Sequence, residues 1–321
     1  MKSILVTGGA GFIGSHLCER LLQRRDVKKV ICVDNLDPAY DPKIKKNNLE
    51  LLKKNKKFKF YKNDIRDQKS IEKIFRKEKP EYVLHLAAKT DTRSSVKEAR
   101  EHETVNVHGT INILEASKDF GVKKVINFSS SSVYGNTNKL PVSEKDLANL
   151  PLAPYGATKI AGEVLSHTYS YNFNLPVITF RIFNAYGPRM RPGLVLHKWT
   201  ESIMRRGEVE MSGSGSRKRD FTYVSDIVDA VIKALSKDFS YEIFNIGNAK
   251  PHSLTQLLGI LERVTGRKAK VKTRPSNKAS VDVTYADISK AKKILGWKPK
   301  VTMEKGISEF VTWFVEDRLK N

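Results

Sequence analysis

The stretch Val6-Thr7-Gly8-Gly9-Ala10-Gly11-Phe12-Ile13-Gly14 decides the fold. It follows an apolar run, Ile4 to Val6, and opens an amphipathic one through Ile13, His16, Leu17 and Leu21. It therefore reads as strand, glycine-rich turn and helix. Glycines at 8, 11 and 14 answer three needs: a tight turn, backbone approach to a pyrophosphate, and close packing of helix on strand. The helix start, at Phe12 and Ile13, offers N–H groups and a partial positive charge to phosphate. A Gly-x-x-Gly-x-x-Gly match by itself also fits an ordinary turn. Here a second strand follows, Val30-Ile31-Cys32-Val33-Asp34, and ends in an acid 26 residues after Gly8. A carboxylate there suits the adenosine ribose hydroxyls and repels a 2′-phosphate, so the expected cofactor is NAD rather than NADP.

The rest of the composition bounds the class. A chain of 321 residues with 40% apolar content can bury a large core as one big domain or two smaller ones. No apolar run approaches the roughly 20 residues of a membrane span. The chain enters a strand at once, so no signal peptide is expected. Cys18 and Cys32 fall in the expected helix and strand, which suits buried thiols and a reducing cytoplasm. Lys and Arg number 58 against 35 Asp and Glu, a net charge of +23 that favours anionic partners. The charges are spread over many segments, as in Lys43-Ile44-Lys45-Lys46 and Lys53-Lys54-Asn55-Lys56-Lys57, without the interleaved aromatics of a nucleic-acid module. A solvated lysine-rich surface is the plainer reading, and no specific nucleic-acid partner is expected. The histidines are scattered without ligand spacing, so no metal site is expected.

Strand-like runs at Ser3–Thr7, Lys29–Asp34, Phe58–Lys62, Tyr82–Ala87, Lys124–Ser129 and Val177–Phe183 alternate with helical periodicity, for example at Ser70–Lys77, Thr104–Asp119 and Ile160–Tyr171. Such alternation implies an α/β fold, a doubly wound parallel sheet of the Rossmann type with helices on both faces. Ligands bind beyond the carboxyl ends of such strands, and the informative residues do follow them. Asp64-Ile65 follows the third strand, where the acid either accepts from an adenine amino group or caps a turn. Ala87-Ala88-Lys89 follows the fourth, where small residues let backbone run close to a cofactor. Ser129-Ser130-Ser131-Ser132-Val133-Tyr134-Gly135 follows the fifth, either as a polar loop or as a hydroxyl donor to substrate. Then comes Pro154-Tyr155-Gly156-Ala157-Thr158-Lys159, in which Tyr155 and Lys159 share one helix face. A lysine beside a phenol lowers the phenol's pKa, as does a positive nicotinamide ring, and a phenol so tuned takes a proton from a sugar hydroxyl near neutral pH. A Tyr-x-x-x-Lys pair means little alone; after the glycine turn and the serine cluster it is the strongest catalytic candidate.

Together these motifs resemble the extended short-chain dehydrogenase/reductase family, and within it the nucleotide-sugar epimerases and dehydratases. The resemblance covers essentially the whole chain: Thr7–Gly14, Asp34-Asn35, Asp64-Ile65, His85-Leu86-Ala87-Ala88, Asn106-Val107-x-Gly109-Thr110, the serine cluster, Tyr155…Lys159, Arg181–Arg189, Arg219–Val224, Phe244–Gly247 and Tyr285–Asp287. It implies a smaller C-terminal α/β lobe for substrate, with NAD held by 1–180, about 222–248 returning to that domain, and the nucleotide sugar held mainly by 181–321. It implies Tyr155 as acid/base, Lys159 as its pKa partner and ribose ligand, and Ser130 as the hydroxyl bridging Tyr155 and sugar O4. Asn184 would meet the nucleotide diphosphate with Arg219 as its cationic partner, a role the guanidinium fork suits as well as a surface ion pair. Arg274 would touch the diphosphate or the nucleotide ribose, although the family's Arg/Gln-Pro-Gly-Asp pattern is altered across 274–285. A homodimer through the helices of 106–117 and 155–171 is also implied, with Ile111, Leu114, Leu165 and Tyr169 serving either that contact or the sheet.

The serines after Ser130 separate reactions. Relatives that dehydrate or decarboxylate carry acids in this loop; here Ser131 and Ser132 stand there, Ser131 as a substrate contact, and a serine hydroxyl does not replace a carboxylate base without an activator. The expected reaction is therefore a redox cycle at C4, an NAD-dependent 4-epimerase of a UDP-sugar. The pattern Asp34…Tyr40-Asp41-Pro42…Lys45 and Gly187-Pro188-Arg189-Met190-Arg191-Pro192-Gly193 resembles the UDP-glucuronate 4-epimerases, with Arg191 suited to a C6 carboxylate. Asp91-Thr92-Arg93 is instead common among UDP-glucose and UDP-N-acetylglucosamine relatives, and an acid there opposes a carboxylate sugar unless Arg93 neutralises it. Two other functions compete: a 4-keto reductase or dehydrogenase that releases reduced cofactor, and a non-catalytic NAD-binding protein with a basic nucleic-acid-binding surface. The intact Ser130, Tyr155 and Lys159 argue against the last.

Overall fold

The computed structural model describes residues 1–275 and 281–319. Seven strands form one parallel sheet: β1 (Lys2–Thr7), β2 (Val27–Asp34), β3 (Phe58–Lys62), β4 (Tyr82–His85), β5 (Lys124–Ser130), β6 (Val177–Ile182) and, last in the chain, Tyr241–Ile246. Their spatial order is Tyr241–Ile246, β6, β5, β4, β1, β2, β3. The order reverses beside β1, so a crevice opens at the carboxyl ends of β1 and β4. The central strands are continuous apolar runs because helices cover both faces. In β1, Ile4 and Val6 pack on one side with Leu17, Leu21 and Ile126, while Leu5 joins Ile31, Phe75 and Val83 on the other.

Residues 222–248 give one helix to the sheet, Val224–Ala234, and then the edge strand Tyr241–Ile246 against β6. The chain comes back once more: Ala286, Ile288, Ala291, Leu295 and Trp297 join the same core as β1 and β6. Trp297 is fully buried and its indole N–H donates to the Asp226 carbonyl. A second core, around Trp199, Tyr186, Phe221, Leu257, Phe310 and Phe314, belongs to the smaller lobe. There Ser253 and Gln256 form a capping box on helix Leu254–Thr265, which ends at Gly266. The terminal helix starts at its cap Thr302 and runs Met303–Phe314, turning wider over Val315–Leu319.

Element boundaries move by one to a few residues from the sequence reading. The largest shift is in the catalytic helix, which spans Pro154–Phe173 with Pro154 at its first turn, rather than starting at Ile160. The expected helix over 104–119 begins as a wide turn, Thr104–His108, before Gly109–Asp119. Of the altered segment 274–285, residues 276–280 lie outside the described residues. Among the described residues no helix is long and apolar enough to cross a membrane.

Candidate active site

The glycine turn takes the form its sequence requires. Gly8 sits at φ +68°, and a Cβ there would lie 2.8 Å from the Ala87 nitrogen. A Cβ on Gly14 would collide with the Gly8 carbonyl, so helix Phe12–Leu22 starts directly against the turn. Asp34, at the end of β2, faces this helix start. Its carboxylate accepts from the Ala10 N–H at 3.2 Å, the Leu36 N–H at 2.9 Å and Lys45 Nζ at 3.1 Å. Next to it Asp64 accepts from Asn35 Nδ2 at 2.9 Å and from both arms of Arg66. Burial works to raise the Asp64 carboxyl, but those hydrogen bonds outweigh it and hold it down at about 2.

The loop after β4 is fixed from below. Thr7 Oγ1 accepts the N–H groups of Leu86 and Ala87, each at 3.1 Å, and donates to His85 Nδ1 at 2.8 Å. His85 Nε2 then donates to Thr110 Oγ1, whose own proton goes to the Asn106 carbonyl. Burial, with the nearby Lys159 charge, brings His85 down to about 3, so this bridge between strand ends stays neutral at physiological pH.

Beyond β5 and on helix Pro154–Phe173 lie the catalytic candidates. Ser130 ends β5 and caps the short turn Ser131–Tyr134 by accepting from the Ser132 N–H. Tyr155 is buried. Burial raises its phenol, while a hydrogen bond with Ser130 and the charge of Arg191 act in the other direction. The sequence suggests Lys159 as the group that lowers the phenol. In the fold Lys159 Nζ donates to the Phe128 carbonyl at 2.8 Å; at the phenol, Ser130 and Arg191 oppose burial, and the phenol stays raised. Burial brings Lys159 itself down to about 8, and Glu163 supports its charge.

One cavity of about 640 Å³ collects these groups. Its walls include Gly8, Gly11, Phe12, Ile13, Asp34 and Asn35 at one end. Asp64, Ile65, Leu86, Ala87 and Ala88 line its middle, and Ser130, Tyr155, Lys159, Asn184 and Arg191 the other end. Its size is that of a ligand-binding cleft. Four sequence candidates lie outside these walls. Ser131 opens the turn that leads away from Ser130. The Arg93 side chain is exposed, and its backbone N–H caps Asp91. Arg219, on strand Lys218–Asp220 of the smaller lobe, donates to the carbonyls of Lys218, Val281 and Asp282; burial and the neighbouring Arg217 bring it down to about 10. Arg274 ends an exposed strand and pairs with Glu210.

The fold also recruits groups that the sequence reading left out. Glu163 lies one turn past Lys159; the spacing of 155, 159 and 163 on one helix face was the available signal. It forms a buried pair with Arg181, at 2.7 Å, and accepts from the Ser129 hydroxyl next to Ser130 at 2.5 Å. Arg181 also donates to Tyr134 Oη at 2.9 Å. Asp91 meets Arg191 Nη2 at 3.4 Å, across 100 positions of sequence, and no local pattern marks that pairing.

The chain resembles known proteins along its length. The family described as GDP-mannose 4,6 dehydratase matches residues 5–310. A UDP-glucuronate 4-epimerase of Thermodesulfobacterium geofontis is 42% identical over 318 residues, covering 99% of this chain and 97% of that protein. The crystal structure of the Bacillus cereus UDP-glucuronic acid 4-epimerase, in complex with UDP-glucuronic acid and NAD, superposes with a TM-score of 0.92 at 34% identity, covering 98% of this chain and 99% of the other. That of the Thermotoga maritima UDP-glucose 4-epimerase, with UDP-glucose, gives 0.90 at 36%, covering 98% of each. With its parallel sheet, glycine turn and Tyr155–Lys159 helix, the chain belongs to the GDP-mannose 4,6 dehydratase family of extended short-chain dehydrogenase/reductases, among the NAD-dependent nucleotide-sugar 4-epimerases.

Proposed function

We propose that the protein is an NAD-dependent 4-epimerase of a UDP-sugar, with UDP-glucuronate, UDP-glucose and UDP-N-acetylglucosamine as the candidate substrates. The observation that carries this is the cavity running from Asp34 to Ser130 and Tyr155, whose walls also include Asn184 and Arg191. The cradle fits a dinucleotide: Gly8 and Gly14 let the turn pack against the loop at Ala87 and against the helix, and Gly8, Gly11 and the helix start at Phe12 line the cavity. Asp34 and Asn35 would meet the adenosine ribose, Asp64 and Ile65 the adenine, Leu86 to Ala88 the backbone of the cofactor, and Lys159 the nicotinamide ribose.

When bound, NAD accepts the hydride of sugar C4 and returns it. The residues of the chain handle the proton. With its raised phenol brought down by the positive charge of bound NAD⁺, Tyr155 would take the O4 proton as the C4–O4 single bond becomes a carbonyl, and give it back when C4 is reduced on the opposite face. Ser130 holds O4 against the phenol, and Arg191 lowers the cost of its negative charge. Ser131 and Ser132 supply no carboxylate where dehydrating and decarboxylating relatives carry one, which favours reduction of the 4-keto sugar over elimination. Asn184, on the cavity wall, would meet the diphosphate; Arg93, Ser131, Arg219 and Arg274 lie outside the walls and would reach the nucleotide sugar only if the lobes close on it.

The division of labour we propose assigns cofactor to 1–180 with about 222–248, and nucleotide sugar mainly to 181–321; the strand Tyr241–Ile246 in the main sheet supports it. We also propose a homodimer in the cytoplasm. Two free, buried thiols, Cys18 and Cys32, suit a reducing compartment. On the catalytic helix Val164 and Tyr171 are exposed at 57% and 79%, while Leu114 and Tyr169 are buried in the sheet-facing core, which leaves the former as the candidate dimer face.

The test is proton NMR of each UDP-sugar with catalytic NAD⁺. A galacto-configured product without net NADH supports the epimerase; accumulating NADH supports a dehydrogenase instead. Tyr155→Phe should keep the fold and lower turnover by at least about 10²-fold, the scale of general acid–base catalysis. Retained activity would remove Tyr155 from its assigned role.

A further inference from the structure

The two solved neighbours hold sugars that differ at C6, a carboxylate in one and a hydroxymethyl group in the other, at nearly equal likeness to this chain. These two neighbours leave the C6 chemistry open, while the 42% identical relative is a UDP-glucuronate 4-epimerase, so the local electrostatics of the sugar end of the cavity are the independent evidence. Arg191 and Asp91 line the same cavity as Ser130 and Tyr155, and the Arg191 charge reaches the Tyr155 phenol. The ring substituents nearest C4 are the C3 hydroxyl and, through C5, the C6 group. A 4-epimerase must present both faces of C4 to one cofactor, so the sugar turns over and C3 and C6 exchange sides. Charged groups beside Tyr155 thus meet both.

The guanidinium of Arg191 is not open on all sides. Asp91 Oδ2 stands 3.4 Å from Nη2, with the two side chains 39% and 23% exposed. Asp91 is also anchored independently of Arg191: its Oδ1 accepts the N–H groups of Arg93 and Ser94, each at 2.8 Å, at the start of the short helix Ser94–Lys97. Turning the carboxylate away from Arg191 would disturb those two bonds. Burial works to raise the Asp91 carboxyl, but the Ser94 amide, Arg191 and the Arg93 amide prevail and hold it below the ordinary aspartate range, so it is anionic at neutral pH. Exposed Arg93 adds only a solvent-screened attraction. Hydroxyl groups can donate to Asp91 and accept from Arg191 at once. A carboxylate can only accept, and it meets the Asp91 charge beside the Arg191 donor.

The geometry points to Asp91 as the specificity-determining residue of the sugar pocket: by engaging Arg191 it makes the pocket favour UDP-hexoses uncharged at C6, including their 2-acetamido forms, over UDP-hexuronates. This rests on the epimerase reading above, and it commits that reading to one class of sugar.

The test compares wild type with Asp91→Asn, which keeps the side-chain oxygen that caps residues 93 and 94 and loses only the charge. kcat/KM for UDP-glucose, UDP-N-acetylglucosamine and UDP-glucuronate is read by proton NMR, and Kd for the same three by calorimetry on NAD-loaded protein. Wild type should favour one of the uncharged sugars by about tenfold or more, and Asp91→Asn should move the glucuronate-to-glucose ratio by about 10- to 100-fold toward glucuronate, the scale of one close like charge. Arg191→Gln, which leaves Asp91 facing the sugar without this partner, should move the ratio the other way. Wild type favouring glucuronate, or an Asp91→Asn ratio that does not move, overturns the inference. If no sugar is epimerised while the Kd ratio still shifts on Asp91→Asn, the epimerase reading fails and the role of Asp91 stands.

Discussion

At the scale of single residues, the cavity depends on atoms that are missing as much as on those present. Gly8 combines a left-handed backbone with an approach to Ala87 closer than any real Cβ allows. Gly8→Ala should therefore destabilise the fold by more than about 1 kcal/mol, the usual cost of a Cβ at positive φ. It should also weaken NAD binding, which fluorescence titration alongside thermal denaturation would read; unaltered NAD affinity would argue against the turn as the pyrophosphate cradle. Lys159 gives a signed pH prediction. Burial lowers it to about 8 and Glu163 opposes that fall. Its ammonium is lost as pH rises through that value, so kcat/KM should decline on the alkaline side of pH 8. Glu163→Gln removes the support and should move that decline to lower pH. The linkage to stability has the opposite sign. Between pH 8 and the ordinary lysine value the folded chain holds fewer protons at this site than the unfolded one, so this group's contribution to stability rises with pH there. A pH–rate profile whose alkaline limb ignores Glu163→Gln would disconnect that residue from the lysine.

At the scale of elements, the catalytic helix is tied to the sheet by charge in an otherwise apolar interior. Glu163 on the helix and Arg181 on β6 each keep about 6% of their side-chain surface, and they share hydrogen bonds with Ser129 of β5 and Tyr134. Such a pair adds little net stability compared with an apolar one, yet breaking it leaves a charge buried alone. Arg181→Met should cost about 3–5 kcal/mol, measurable as a lowered urea midpoint. The double variant Glu163→Leu with Arg181→Met should recover much of that loss, because it removes the orphaned charge. A double variant as unstable as the single one would mean that the network, not the stray charge, supplies the stability. The location of this pair also explains why Ser130 is well placed: it ends a strand whose previous residue is held to the same glutamate that follows Lys159 on the helix.

At the scale of the whole molecule, the net charge of +23 and the dianionic diphosphate of the proposed substrate predict electrostatic attraction that salt weakens. KM for a UDP-sugar should rise several-fold between about 20 and 300 mM salt, with kcat little altered. A KM insensitive to salt would confine the excess charge to surface solvation. For assembly, light scattering should report about twice the 36.4 kDa chain mass, and Val164→Glu should lower it toward one chain. A wild-type monomer would remove the proposed dimer.

What the sequence determined is what local chemistry determines. Short apolar runs alternating with helical periodicity specify a parallel sheet. The Gly8–Gly14 turn, Asp34 at a strand end, and Tyr155 four residues before Lys159 are short-range patterns whose geometry is set by one turn or one helix face. The serines at 131 and 132, where related enzymes carry acids, likewise point to the reaction class without any fold. Tertiary structure decided whatever depends on contact between distant segments. It placed Leu114 and Tyr169 in the core and left Val164 and Tyr171 outside, because helical spacing alone does not say which face meets the sheet. It returned Ala286 to Trp297 to the first core, and it set Arg219 and Arg274 on small-lobe strands away from the cavity walls. It also brought Asp91 to Arg191 and Glu163 to Arg181. Charge pairing acts over a few ångströms of space whatever the separation along the chain, so the groups that tune the site became visible only once the chain had folded.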